Sequence, residues 1–200
     1  MKQIKIVFLV MVAFVISASC ATKVERIDSN TVTDLSGYWN DTDVRIVADD
    51  LVKKCVNANA ITSYVAKTEK LPVVIVGSFR NQSDEHIDTS ILTKKFEAAL
   101  INSGKVDFVA SSQEREEIRQ EREEQQDWSS IDTAKRLTNE TGADFMLIGS
   151  VKTIVDSVGK ESTRTYYVTA ELIDIESNKK LWVDTNSEIK KYIKRSSARF

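Results

Sequence analysis

The stretch Leu71-Pro72-Val73-Val74-Ile75-Val76-Gly77-Ser78-Phe79 decides how this 200-residue chain is read. It is apolar and β-branched without the polar alternation of a half-solvated strand, so it reads as a strand buried in a sheet. Proline lacks the N–H that a sheet ladder needs, and Pro72 suits only the first residues of such a strand. A polar loop over 80–88 follows. It leads into a helix over 89–102 whose apolar face is Leu92, Phe96, Ala99 and Leu100, with Gly104 as its stop. Residues 106–110 form a second, short strand.

Working outward towards the N-terminus, Val44, Val47, Ala48, Leu51, Val52, Cys55 and Val56 recur at i, i+3, i+4 and i+7, the spacing of one helical face. Asp41 or Thr42 is the expected cap of this helix, because a short oxygen-bearing side chain satisfies the first free amides. The pattern runs to about Asn57, and residues 60–67 continue it after a break. Towards the C-terminus, residues 112–127 carry Glu114, Glu116, Glu117, Glu121, Glu123 and Glu124 with Arg115, Arg119 and Arg122. With Ile118 as their single apolar residue, they read as a solvated helix or a charged docking surface. Ile131, Ala134 and Leu137 mark a short helix ending near Gly142.

Beyond it the period changes to two. Residues 143–155 form a strand. Residues 163–175 alternate, with Tyr166, Val168, Ala170 and Leu172 on one face, and residues 181–189 follow the polar turn 176–180. Three strands joined by short turns make an antiparallel meander. The fold class is therefore α+β: a small mixed sheet flanked by helices, closed by a C-terminal antiparallel meander.

The N-terminus is of a different kind. Lys2 and Lys5 precede an apolar run from Ile6 to Ile16, followed by Ser17-Ala18-Ser19-Cys20. A basic region, an apolar core of about eleven residues and a small-residue zone make a secretory signal, too short for the roughly 20 residues that span a bilayer. A cysteine at this distance resembles a bacterial lipobox, although Ser17 stands where a large aliphatic residue is usual. Residues 1–19 are then a signal peptide and 20–33 a short lipidated tether. Residues 34–200 are one domain. Cys20 is the expected site of a covalent diacylglycerol and N-acyl lipid, and two or more chains anchor a protein stably. Ala21 follows it rather than an inner-membrane retention residue, which favours the periplasmic side of the outer membrane.

Removing Lys2 and Lys5 with the leader leaves 26 of the 28 basic residues against 30 acidic ones, a net charge near −4. Nucleic acid, which demands a basic field, is not an expected partner. With Cys20 acylated, Cys55 has no partner for a disulfide and lies on the apolar stripe as a small hydrophobe. His86 is the single histidine, with no cysteine or histidine at metal spacing. There is no nucleophile elbow and no phosphate-cradling glycine loop. No catalytic residue, metal, dissociable cofactor or small-molecule substrate is expected, and the chain does not read as an enzyme. Lys190, Lys191, Lys194, Arg195 and Arg199 end it, as a solvated strand end with a frayed tail or as a contact for anionic headgroups. Tyr38 and Trp39 either pack the end of the tether onto the domain or face a partner.

Three stretches resemble the LpoB family of lipoprotein activators of penicillin-binding proteins. They are residues 35–43 (Leu-Ser-Gly-Tyr-Trp-Asn-Asp-Thr-Asp), residues 74–81 (Val-Ile-Val-Gly-Ser-Phe-Arg-Asn) and residues 142–150 (Gly-Ala-Asp-Phe-Met-Leu-Ile-Gly-Ser), together with the lipobox. The last stretch is shared with the N-terminal domain of TolB and the secretion lipoprotein CsgG. The resemblance implies a non-catalytic domain that binds an accessory domain of a class A penicillin-binding protein and raises its activity by favouring the active conformation. Tyr38, Trp39, Asn40 and Asp41 are the residues expected to meet that partner. The alternative implied by the CsgG likeness is a structural subunit of an envelope assembly. Its one candidate for a membrane hairpin, residues 143–175, turns Lys152, Asp156, Lys160 and Arg164 outward, which suits water. Enteric members carry a long linker. Here roughly 15–20 residues separate Cys20 from the first helix, a reach of about 50–70 Å when fully extended.

Overall fold

In the computed structural model, residues 23–128 and 142–195 are described. Cys20, the short helix expected at Ile131–Leu137 and Arg199 lie outside them. Residues 23–31 belong to a separate N-terminal unit that ends at Thr31. In it a turn is closed by the Thr31 amide donating to the Asp28 carbonyl at 3.0 Å. The second compact unit begins at Val32.

Helix α1 (Asp41–Val56) buries the expected stripe, including Val47, Leu51 and Cys55. Its cap is Asn40, one residue ahead of the expected Asp41 or Thr42. The Asn40 Oδ1 accepts from the amides of Thr42 (3.0 Å) and Asp43 (3.3 Å), and Asp43 Oδ2 accepts from the Asn40 amide at 3.0 Å. This reciprocal box satisfies three amide donors at once. It also frees Asp41 to stand in the first turn, where a carboxylate meets the positive end of the helix dipole. Cys55 is buried and its thiol is pushed up to about 12 by burial, as befits a core residue. After a break at Asn57 and Ala58, α2 (Asn59–Thr68) follows.

Strand β1 (Val73–Asn81) starts one residue after Pro72 and runs two beyond Phe79. Helix α3 (Thr89–Ser103) is capped by Asp88 and ended by Gly104. It buries Leu92, Phe96 and Leu100. Then come β2 (Asp107–Phe108), the charged helix α4 (Ser112–Trp128), β3 (Phe145–Val158), β4 (Glu161–Asp174), β5 (Lys180–Asn186) and β6 (Lys190–Lys194). The sheet order is β2-β1-β3-β4-β5, with β6 on β4. β1 is parallel to β2 and β3, while β4 is antiparallel to β3, β5 and β6. The sheet is mixed, as the sequence implies.

The register of β1 on β3 shifts between Val76 and Phe79. That bulge turns Phe79 into the core, its ring centroid 4.5 Å from that of Phe96. Opposite it stands Gly149, where an added Cβ would collide with the Phe79 ring and the Thr169 carbonyl. The glycine is required by close approach rather than by its backbone angles.

Two expectations fail on the C-terminal strands. The third strand of the meander does not run unbroken over 181–189. β5 ends at Asn186, whose buried amide donates to Asp50 at 2.9 Å while its carbonyl oxygen accepts from the Glu188 amide. The chain then rejoins the same edge of β4 as β6, so Lys190, Lys191 and Lys194 lie in a paired strand rather than a frayed tail. Lys191 and Arg164 are each 8 % exposed. Arg164 therefore does not face water. It shares the parity of Tyr166 and Val168 and points to the helix side.

Candidate functional site

The Ser36-to-Asn40 strap that leads into α1 is fastened at three places. Gly37 adopts φ +76°, and a Cβ there would stand 2.5 Å from Ile193 Cγ1 on β6. Only glycine meets both demands without cost. Next to it, the Lys191 ammonium donates to Asp43 Oδ2 (2.6 Å), Asp34 Oδ1 (2.7 Å) and the Tyr38 carbonyl (2.8 Å). All three of its donors are used. The bond from Lys191 holds the Asp34 carboxyl below its ordinary value. Burial raises that of Asp43, against the pull of the same lysine.

The third fastening involves the loop after β1. The Trp39 amide donates to Glu85 Oε2 at 3.0 Å. The other oxygen of Glu85 accepts from the Tyr166 hydroxyl at 2.5 Å and from Arg164. Arg164 also pairs with Asp84 at 3.0 Å, and Thr153 donates to Asp84 as well. Burial, then the bond to Glu85, pushes the Tyr166 phenol well above its usual range. Arg164 lies 5.1 Å from the Tyr38 ring centroid, and the Trp39 ring sits 5.2 Å from that of Tyr166. Buried charges are tolerable when they are paired and hydrogen-bonded; of the Arg164 donors, the Nε–H is buried without a hydrogen-bond partner among the described residues.

Between strap and loop lies a cavity of about 590 Å³, bounded by Tyr38 to Asp41 on one side and by Asp84 to Asp88 with Ile91 on the other. All four expected partner residues therefore stand on its rim. Their roles divide. Trp39 packs on Tyr166, and the Asn40 amide is spent on Asp34 (2.7 Å) and on the Thr33 carbonyl. Tyr38 is 50 % exposed and Asp41 is exposed, so these two present side chains to solvent. His86 is on the same rim. Among the described residues no group of three or more His, Cys, Asp or Glu side chains is placed to hold a metal, and no helix is long and apolar enough to cross a membrane.

Sequence reasoning missed Asp84, Glu85, Arg164 and Lys191. A signal existed for Arg164, which falls in step with the inward residues Tyr166, Val168, Ala170 and Leu172. None existed for Lys191, whose inward position depends on the one-residue shift between β5 and β6.

The family model of the peptidoglycan-synthase activator LpoB matches residues 43–187. The chain belongs to this family. Among solved structures, the LpoB C-terminal domain from Escherichia coli is 18 % identical, with 72 % of this chain and 96 % of that one covered, at a TM-score of 0.44. That of Salmonella enterica is 17 % identical over 76 % and 99 %, at 0.43. The lipoprotein GNA1162 from Neisseria meningitidis is 16 % identical over 64 % and 88 %, at 0.38. No curated protein matches the chain. The LpoB match opens at Asp43 and closes before β6, so the strap and the strand that holds it both lie outside the matched residues.

Proposed function

We propose that this LpoB-family protein is a lipoprotein of the outer membrane, acylated on Cys20, that binds a class A penicillin-binding protein from the periplasmic side and raises its activity without catalysing a reaction. The family match over residues 43–187 carries the reading. The docking surface is the rim formed by Tyr38 and Asp41 with the loop from Asp84 to Ile91. It sets an exposed tyrosine ring, the kind of anchor interface hot spots favour, beside an exposed isoleucine and unburied carboxylates around a concavity. A protein bound there acts by raising the occupancy of the synthase's active conformation, to the extent that it prefers that conformation.

The test is to mix the purified chain with class A penicillin-binding proteins, cross-link, and follow glycan polymerisation in parallel. A cross-linked complex together with a faster polymerisation rate is expected. Neither complex nor rate change would overturn the proposal.

A further inference from the structure

The β3–β4 hairpin runs past the end of β1 and carries β6 along its other side, making a three-stranded ribbon. Its register places Ile154, Thr165 and Lys190 in one row of the face turned away from the helices. Asp156, Thr163 and Tyr192 make the next row, and Val158, Glu161 and Lys194 the last. On that face Ile154, Tyr192 and Val158 are all exposed, Val158 at the tip by 79 %. Burial of these groups in a core is not what keeps them apolar.

Charge gathers at the same end. Lys152, Lys160, Lys190, Lys194 and Arg195 surround the ribbon against Asp156, Glu161 and Glu188, and Glu161 is already paired with Lys194 at 2.8 Å. Past the row of Ile154 the tip itself keeps a small cationic excess, with Lys160, Lys194 and Arg195 against Asp156 and Glu161, in a chain that is acidic as a whole. The Arg195 amide donates to the Lys160 carbonyl at 2.9 Å, which holds the last basic residue beside the turn.

The route of the chain adds an independent observation. The strap reaches the domain at this end: Gly37 lies against Ile193, which pairs with Ser162 near the hairpin turn, and Asp34 bonds Lys191. Leu35, between them, is 94 % exposed. The chain at Asp34 thus stands at this end of the ribbon, on the face opposite Ile154 and Tyr192.

We propose that the tip of the β3–β4–β6 ribbon rests on an anionic phospholipid surface. Val158 and Ile154 would enter the headgroup layer and the surrounding lysines and Arg195 would meet its phosphates. The proposal rests on the reading of Cys20 as a lipid anchor, which brings the tip to a membrane. The contact is a peripheral one, in which apolar burial and attraction of basic side chains add.

The test uses the native acylated chain carrying Val158→Cys, labelled with an environment-sensitive fluorophore. The chain has two other cysteines, Cys20, consumed by acylation, and the buried Cys55. The protein is reconstituted on vesicles of phosphatidylethanolamine and phosphatidylglycerol, or of phosphatidylcholine alone, each doped with nitroxide-labelled lipid. Flotation of the protein with the vesicles reports the anchor, and quenching of the label reports the tip. Quenching is expected on the anionic vesicles, weakened by salt and reduced in Lys160→Gln and in Arg195→Gln, each of which lowers the equilibrium constant for the tip contact about fivefold. Flotation with an unquenched label would overturn the tip contact and leave the anchor standing. Equal quenching on both vesicles would overturn the role of charge. Shielding of the label only when a penicillin-binding protein is added would make the ribbon a protein contact instead. Failure to float would remove the anchor and this proposal with it.

Discussion

A single ammonium, that of Lys191, serves Asp34, Asp43 and the Tyr38 carbonyl at once. Removing it leaves Asp43 buried at the first turn of α1 with no counter-charge. Breaking one partner of a buried pair costs about 3–5 kcal/mol, so Lys191→Ala is expected to lower the stability measured by urea unfolding by that amount. A loss under 1 kcal/mol would mean that the strap is held by Gly37 and Glu85 alone. The lysine also shows where residue-level reading ends. Arg164 was recoverable, since counting by twos from Tyr166 puts it inside, yet charge alone suggested water. Lys191 was not, because its direction follows from a bulge that depends on Asn186 bonding Asp50 across the fold. Trp39 is expected either to pack or to meet a partner; it packs on Tyr166, which lies far along the chain and is not visible from local sequence.

Between elements, two contacts set the relations that matter. β1 and β3 approach closely at Phe79 and Gly149. Forcing a methyl group into that contact costs about 1–3 kcal/mol. Gly149→Ala should lower the thermal midpoint accordingly, and an unchanged midpoint would show that the bulge yields freely. The helix α4 meets α3 through Lys94, which bonds Glu114 and Glu97 at 2.7 Å each. The Lys94 bond, with help from Ser111, lowers the Glu114 carboxyl to about 2. A depressed carboxyl contributes stability that is complete above the ordinary carboxylate range and is lost as the pH falls through about 2. An NMR titration of the Glu114 carboxyl should therefore place its midpoint near 2, and Lys94→Ala should raise it, though not to the ordinary value, because the two bonds from Ser111 remain. Elements of this kind were largely legible. Apolar periodicity located α1, α3 and the strands to within a few residues, because each pattern has a core to face. The split between β5 and β6 was not, since both halves share one polarity.

At the scale of the whole molecule, the matched core from residue 43 to 187 is flanked by two pieces, the strap and β6, that touch each other. If the rim of the strap docks the synthase, Tyr38→Ala and Asp41→Asn should each weaken the complex by about tenfold, while the lost contact with Arg164 or with the helix dipole lowers stability by no more than about 1 kcal/mol. Affinity measured on an immobilised penicillin-binding protein would decide it, and wild-type binding by both variants would move the interface elsewhere. The clamp at Lys191 has a further consequence, for the order in which the chain becomes complete. The strap is among the first parts of the domain to be synthesised, while its counter-charge is among the last, 148 residues later. Until β6 is in place Asp43 has no ammonium to meet it and Tyr38 is not held. A chain cut short before residue 191 would carry a loose strap, so a docked strap certifies that the polypeptide has been made at least as far as β6.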